Sequence, residues 1–299
     1  MQDKTDQSIK ELENFEEIAR QLTAAPGDLP SLDGIDVYGE SLPLNGVVGG
    51  DHIIYVDFKQ RYDLDARIKV AAREGRTAVV ENLERCRTKA GIAIADVSGH
   101  RVTDALLALM LHQSFLLGAR YELDSNGTIT TRLFEHLNTR FYNSSSVSKF
   151  ITLIYGEIGE DGKFEFISAA HPVPVVFSRE FDRIMDISES KLTTFPPIGT
   201  MPSSDDIDRS TSETVLGFKD KYEVNEISLM GSGDIMLLYS DGLSELSDGT
   251  REYFPEVLEA KLREVKDLPA EGIFEAVKQD LLSFSELSDD VSFIVIKRN

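Results

Sequence analysis

The sequence has no tryptophan and only one cysteine, Cys86, among 299 residues. A single thiol cannot close an internal disulfide, which points to a reducing compartment. No apolar run comes near the roughly 18–20 residues that a membrane span needs. The longest, 105–111, stops at His112 and Gln113. The start, MQDKTDQSIKELENFEE, is polar and acidic, unlike a secretion signal. Positive charge is scarce as well: 31 basic residues face 52 acidic ones, a net charge of −21. Such a surface repels phosphate backbones and anionic lipid, so neither nucleic acid nor a membrane is expected as a partner. There is no P-loop, no internal repeat and no low-complexity tract. These absences predict a soluble, cytoplasmic protein.

What is present is enough apolar sequence for a substantial core, 41% of residues. Residues 8–22 carry Ile9, Leu12, Phe15, Ile18 and Leu22 at three- and four-residue steps, predicting an amphipathic helix. The stretch Ala25-Pro26-Gly27-Asp28-Leu29-Pro30 ends it as a linker. Residues 1–30 therefore form a unit apart from 31–299. The stripe must pack on the rest of the chain or on a second copy, which makes a homodimer through this helix one expectation.

Beyond Gly34, short runs rich in β-branched residues predict strands at 47–58, 90–95, 150–158, 163–168, 173–177, 235–240 and 291–296. Helical patterns lie between them at 61–87, 101–120, 128–142, 255–265 and 271–284. Asp161-Gly162 between two strand runs signals a hairpin, so part of the sheet is antiparallel. The grouping is that of an α+β layered domain.

The chemistry lies in where certain aspartates fall. Asp96 follows the apolar run GIAIA, Asp241 follows IMLLYS, and Asp289 and Asp290 precede VSFIVI; Asp51 sits in VVGGDHIIYV. A carboxylate against a buried strand is costly unless a cation meets it. In an antiparallel sheet the end of one strand and the start of its neighbour share an edge, so these residues can converge. Oxygen ligands without thiolates or paired histidines favour Mg²⁺ or Mn²⁺. The plain alternative is that each Asp starts a turn or caps a helix. Asp234, about 20 Å along the same strand from Asp241, is assigned to turn chemistry.

The segments VVGGDHI, IADVSGHRVTDALLALML, SAAHPVPVVF, FPPIGT, GDIMLLYSDGLSE and LSDDVSFIVI, in this order, resemble the bacterial SpoIIE/RsbU-type phosphatases, a branch of the metal-dependent PPM (type 2C) family. The resemblance runs from about Gly46 to the C-terminus. It implies an αββα sandwich of two mainly antiparallel sheets flanked by helices, and a site for two Mn²⁺ or Mg²⁺ ions. It also implies metal ligands at Asp51, Asp96 with the Val97 carbonyl, Asp241 and Asp289, the last aligning better than Asp290. His100 is the candidate proton donor to the leaving group, with bonding of its own turn as the other reading. Glu245 matches a recurrent family glutamate or simply starts a helix; His52 falls on the strand face opposite Asp51 and is not counted as a ligand, and His171, before Pro172, is assigned a structural role. Three departures stand out: Arg101 and Ala170 occupy places where the family commonly has glycine, and Ser292 replaces a threonine.

The function so implied is hydrolysis of phosphoserine or phosphothreonine on a regulatory protein, of the anti-anti-sigma (STAS-domain) type found in partner-switching circuits. The alternatives are a hydrolase of small phosphoesters and a catalytically silent module that keeps the fold. The family commonly runs almost directly from the GGD strand to the DVSGH strand, whereas here residues 59–89 intervene. This insert holds nine basic and five acidic residues. It is expected to form one broken or two short helices with the break at Gly75, and to lie beside the catalytic rim as a docking or regulatory element.

Overall fold

The computed structural model describes residues 10, 14, 17, 29–44, 49–99, 102–143, 149–207, 214–229 and 231–299. Two five-stranded antiparallel sheets stack face to face. The first orders its strands β1 (Ile35–Leu42), β10 (Val291–Arg298), β9 (Ile235–Tyr239), β6 (Val175–Ser178) and β7 (Arg183–Met185). The second runs β2 (His52–Asp57), β3 (Lys89–Val97), β4 (Ile151–Gly159), β5 (Lys163–Ala169) and β8 (Asn225–Ser228).

Three apolar layers hold this stack together. Ile53, Tyr55, Ile92 and Ile94 of one sheet meet Met236, Leu238, Ile294 and Ile296 of the other in the middle layer. The alternate residues point outward: Ile54, Val56, Ala93 and Ala95 pack with Leu111, Phe115 and Phe134 of α4 (Val102–Asn126) and α5 (Thr131–Tyr142). On the far side, Leu237, Phe293 and Val295 pack on α6 (Glu256–Val265) and α7 (Ala270–Phe284) through Leu258, Leu262, Ile273 and Phe274. Because both faces of the central strands are covered, they read as continuous apolar runs rather than alternating ones. The αββα sandwich is the architecture present.

The insert departs from expectation in form and in place. It makes three helices, α1 (Phe58–Arg61), α2 (Leu64–Arg73) and α3 (Thr77–Arg85), with Gly75 in the second break. Its ends join β2 at Asp57 and β3 at Lys89. Asp51 and Asp96 stand at the opposite ends of those strands, about 20 Å away at roughly 3.3 Å per residue. The helices pack instead on the C-terminal end of α4, where Arg67 pairs with Asp124 and the Asn82 amide donates to the Asn126 carbonyl at 2.9 Å. A docking element beside the catalytic rim is therefore excluded. Many of its basic side chains serve neighbouring acids: Arg76 pairs with Glu74, and Arg87 with Asp65 and Glu84. The predicted helix at 8–22 lies outside the described residues except for Lys10, Asn14 and Glu17, which are helical and exposed.

Candidate metal-dependent active site

The aspartates meet where the rims of the two sheets come together. His52 pairs with Ala95 across β2 and β3, so Asp51 before one strand and Asp96 near the end of the other share an edge. In the facing sheet Phe293 pairs with Tyr239, which brings Asp241, just past β9, beside Asp289 and Asp290, just before β10. Two hydrogen bonds stitch the rims together. The Ser240 hydroxyl donates to Asp51 Oδ2 at 2.6 Å, and the Gly50 N–H donates to Asp290 Oδ2 at 2.7 Å. Asp290 also accepts from Leu44 N–H at 2.6 Å on its other oxygen, so one oxygen is engaged by backbone just past β1 and the other by the GGD segment. Asp289, by contrast, is exposed, and its Oδ1 accepts the neighbouring Asp290 N–H at 2.8 Å.

Gly50 is required by close approach. A Cβ there would lie 2.6 Å from the Val97 carbonyl oxygen and 2.5 Å from that of Gly99, positions only a bare Cα tolerates. Two carbonyls are thereby crowded against the residue that precedes Asp51. Gly242 plays the same part on the facing rim, where a Cβ would strike the Asp290 carbonyl at 2.0 Å.

The electrostatics are those of crowded, partly buried carboxylates. Burial pushes the Asp51 carboxyl well above the usual range, and the charges of Asp96 and Asp290 push it further, against the Ser240 and Ser292 hydrogen bonds. Asp96 is raised to about 7 by burial and by Asp241, Asp289 and Asp290. Asp241 is raised by burial, then by Glu245 and Asp289. Every charge acting in these three cases is negative. Among the described residues no three His, Cys, Asp or Glu side chains already converge as a cage for a metal ion. The donor set, carboxylates and backbone carbonyl oxygens without sulfur or imidazole, fits Mg²⁺ or Mn²⁺.

Other polar residues stand around this cluster, of which Lys149 lies outside the segments that carry the resemblance. Lys149 Nζ donates to the Ser98 carbonyl and pairs with the fully buried Asp104, both at 2.7 Å, clasping the turn after Val97. The candidate proton donor His100 lies outside the described residues. His171 is buried, with Nδ1 2.9 Å from the hydroxyl of Thr152, the residue opposite Asp96 on β4. Its Nε2 is buried without a hydrogen-bond partner, and burial lowers its pKa to about 3. A proton is not available from such a ring near neutral pH. His52 packs under the rim, its Nε2 2.5 Å from His112 Nδ1, with its pKa also lowered to about 3 by burial and by His112. Asp234 accepts from Gly231 and Arg179 N–H groups at the far end of β9, which is turn chemistry.

Ala170 has φ +53°, in the left-handed region that side chains disfavour. Ala170→Gly is expected to raise stability by about 1 kcal/mol in urea denaturation. An unchanged or lower midpoint would show that the strain is not there.

The model of the stage II sporulation protein E (SpoIIE) family matches residues 87–299, which include Asp96, Asp241 and Asp289 but not Asp51. Phosphoserine phosphatase RsbP of Bacillus subtilis (strain 168) is 26% identical over 211 residues, 69% of this chain and 45% of RsbP. The PP2C domain of SiaA from Pseudomonas aeruginosa superposes with TM-score 0.61 at 15% identity, covering 100% of this chain and 98% of that one. The RsbU and RsbW domains of a Mycobacterium tuberculosis protein give TM-score 0.61 at 18% identity, covering 92% of this chain and 64% of that one. The chain thus spans less than two thirds of RsbP and of the mycobacterial chain. Among the described residues no helix is long and apolar enough to cross a membrane. By the family match and the shared sandwich, the chain belongs to the SpoIIE family and has the fold of the PP2C-type bacterial phosphatases.

Proposed function

We propose that this chain is a metal-dependent protein phosphatase that removes phosphate from phosphoserine or phosphothreonine on a regulatory protein, of STAS-domain type in a partner-switching circuit. The observation that carries the reading is the acidic cluster at the joined rims, in which Asp96 is held near pKa 7 chiefly by burial and then by three other carboxylates. Asp51, Asp96, the Val97 carbonyl, Asp241 and Asp289 would hold two Mn²⁺ or Mg²⁺ ions. When bound, such a pair acidifies a shared water and neutralises phosphoryl oxygens. The chain's own residues supply the frame. Ser240 fixes the Asp51 carboxylate, Asp290 anchors Gly50, and the Lys149–Asp104 clasp holds the Ser98 turn next to Val97. Among the described residues no side chain is placed as a nucleophile. Cys86 is buried at the far end of β3, with its thiol pushed up to about 12 by burial and by Glu157.

The test is release of phosphate from a serine-phosphorylated STAS-domain protein, from free nucleotides and from an aryl phosphate, each with Mn²⁺ and with a chelator. Metal-dependent turnover of the phosphoprotein is expected, well above that of nucleotides. Hydrolysis of small phosphoesters alone would favour the small-substrate reading, and no metal-dependent hydrolysis of any of them would leave a silent module.

A further inference from the structure

On the outer face of the second sheet, between α3 of the insert and the start of α5, lies a cavity of about 380 Å³. Strand register sets its place. Gly91 faces Glu157 across β3 and β4, five pairs from Asp96 and Thr152, so Glu157 stands about 17 Å from the acidic rim at roughly 3.3 Å per residue. Phe134, Tyr155, Ile129 and Ile167 give the cavity apolar walls, with the rings of Phe134 and Tyr155 5.1 Å apart. Val224, 58% exposed, stands at the mouth. Glu157 is the buried carboxylate of the lining, and its neighbours serve it poorly. Its Oε1 accepts the Tyr155 hydroxyl at 3.1 Å, but the cation paired with Oε2 is Lys89, whose Nζ is 3.8 Å away, beyond hydrogen-bond reach. That same Nζ donates to Glu165 at 2.7 Å. Glu157, Glu165 and Glu226 face one another across β4, β5 and β8, and Lys89 and Lys163 are the cations paired with them. Ionised, this row carries one more negative charge than its lysines meet, and Glu157 is its buried end. Burial accordingly pushes the Glu157 carboxyl above its usual range, against the pull of Lys89 and of the Tyr155 hydrogen bond.

We propose that this cavity binds a small organic cation, a primary ammonium on an aromatic body, with Glu157 Oε2 as the acceptor and Phe134 and Tyr155 packed on the body. A buried carboxylate short of a matching cation is costly, and a ligand ammonium removes that cost. It brings three donors to an oxygen that receives no hydrogen bond from Lys89, and charge-assisted bonds of this kind are the strong ones. Aromatic faces attract the same cation and pack on its apolar body. The volume lies in the range of small-molecule sites. Arg85 also lines the cavity, exposed and without an ion pair among the described residues, so a carboxylate on the ligand would find a partner there. A site so placed is independent of the chemistry proposed for the acidic rim.

Titration calorimetry of the full chain at pH 7 with phenethylamine, phenethyl alcohol and phenylalanine tests this. The amine is expected to bind at least tenfold more tightly than the alcohol, which has the same body and no charge. Glu157→Gln keeps the side-chain shape and an acceptor for Tyr155. It should weaken the amine at least tenfold and leave the alcohol unchanged. Val224→Trp, at the exposed mouth, should weaken both by obstructing entry, and it leaves the buried row of charges intact. Phenylalanine separates two sources of the ammonium: tighter binding than the amine names an amino acid that Arg85 also holds, and weaker binding names a free amine. Equal affinity for amine and alcohol would overturn the proposal, as would no binding of the amine at millimolar concentration. Amine binding that neither Glu157→Gln nor Val224→Trp weakens would place it elsewhere on this acidic chain and overturn the proposal as well.

Discussion

Asp96→Asn is expected to remove metal-dependent phosphatase activity while making the metal-free protein more stable. The two effects share one cause. The carboxylate is raised to about 7 by burial and by Asp241, Asp289 and Asp290, so in the ionised form it opposes folding unless a cation is present. Its folded pKa lies above the value near 3.9 of an unfolded chain. The folded state therefore takes up a proton that the unfolded state refuses, and stability from that proton appears as pH falls through 7 and is complete below about 4. Asparagine mimics the protonated form at every pH. The gain over wild type in a chelator should then be about 4 kcal/mol above pH 7 and vanish toward pH 4. Activity with saturating Mn²⁺ should fall on the order of 10³-fold, the scale on which loss of a charge-stabilising group acts. Asp241→Asn should behave alike with a smaller stability gain, whereas Asp234→Asn should keep most activity. Urea denaturation at several pH values and initial rates on an aryl phosphate measure both effects. Near-wild-type turnover in Asp96→Asn would remove this carboxylate from the site, and a pH-independent stability difference would remove the electrostatic account.

The aspartates at strand ends were legible because the central strands are covered on both sides. Ile92–Ala95 and Ile235–Tyr239 must be apolar throughout, so a carboxylate at their ends stands out. Two of the edge strands were not legible for the opposite reason. Strands β7 and β8 are three and four residues long and half open to solvent, too short and too mixed to show a period. Helix α4 was expected to end at 120 and runs to Asn126, because its sequence is apolar on nearly every face and marks no boundary. The insert was misplaced by an argument from connectivity alone. Both its neighbours carry acidic residues of the site, but a strand has two ends, and the insert joins the wrong ones. The Lys149–Asp104 clasp links residues 45 positions apart and left no local pattern to find.

The adjacent pair Asp289 and Asp290 should separate function from folding. The alignment with the family leaves the choice between them to a single position, and their surroundings differ sharply. Asp290 is buried, and its oxygens receive the Leu44 and Gly50 N–H groups at 2.6 and 2.7 Å, short bonds to a carboxylate that hold the end of β1 and the GGD segment beside the start of β10. Asp290→Ala would leave these donors without an acceptor, and the Gly50 bond is buried. Each such loss costs about 1–3 kcal/mol, so a destabilisation of about 2–5 kcal/mol is expected, together with lower activity because Asp51 follows Gly50. Asp289 is exposed, and its charge is felt by both Asp96 and Asp241. Removing it as Asp289→Asn should leave the urea midpoint within about 0.5 kcal/mol of wild type, as for most exposed positions. Activity should nevertheless fall at least tenfold, with a raised Mn²⁺ concentration for half-maximal rate. The decisive comparison is therefore a crossed one, with stability lost in one variant and metal response in the other. If Asp289→Asn kept the wild-type Mn²⁺ response while Asp290→Asn lost it without unfolding, the ligand role would pass to Asp290 and the anchoring role assigned to it would fail.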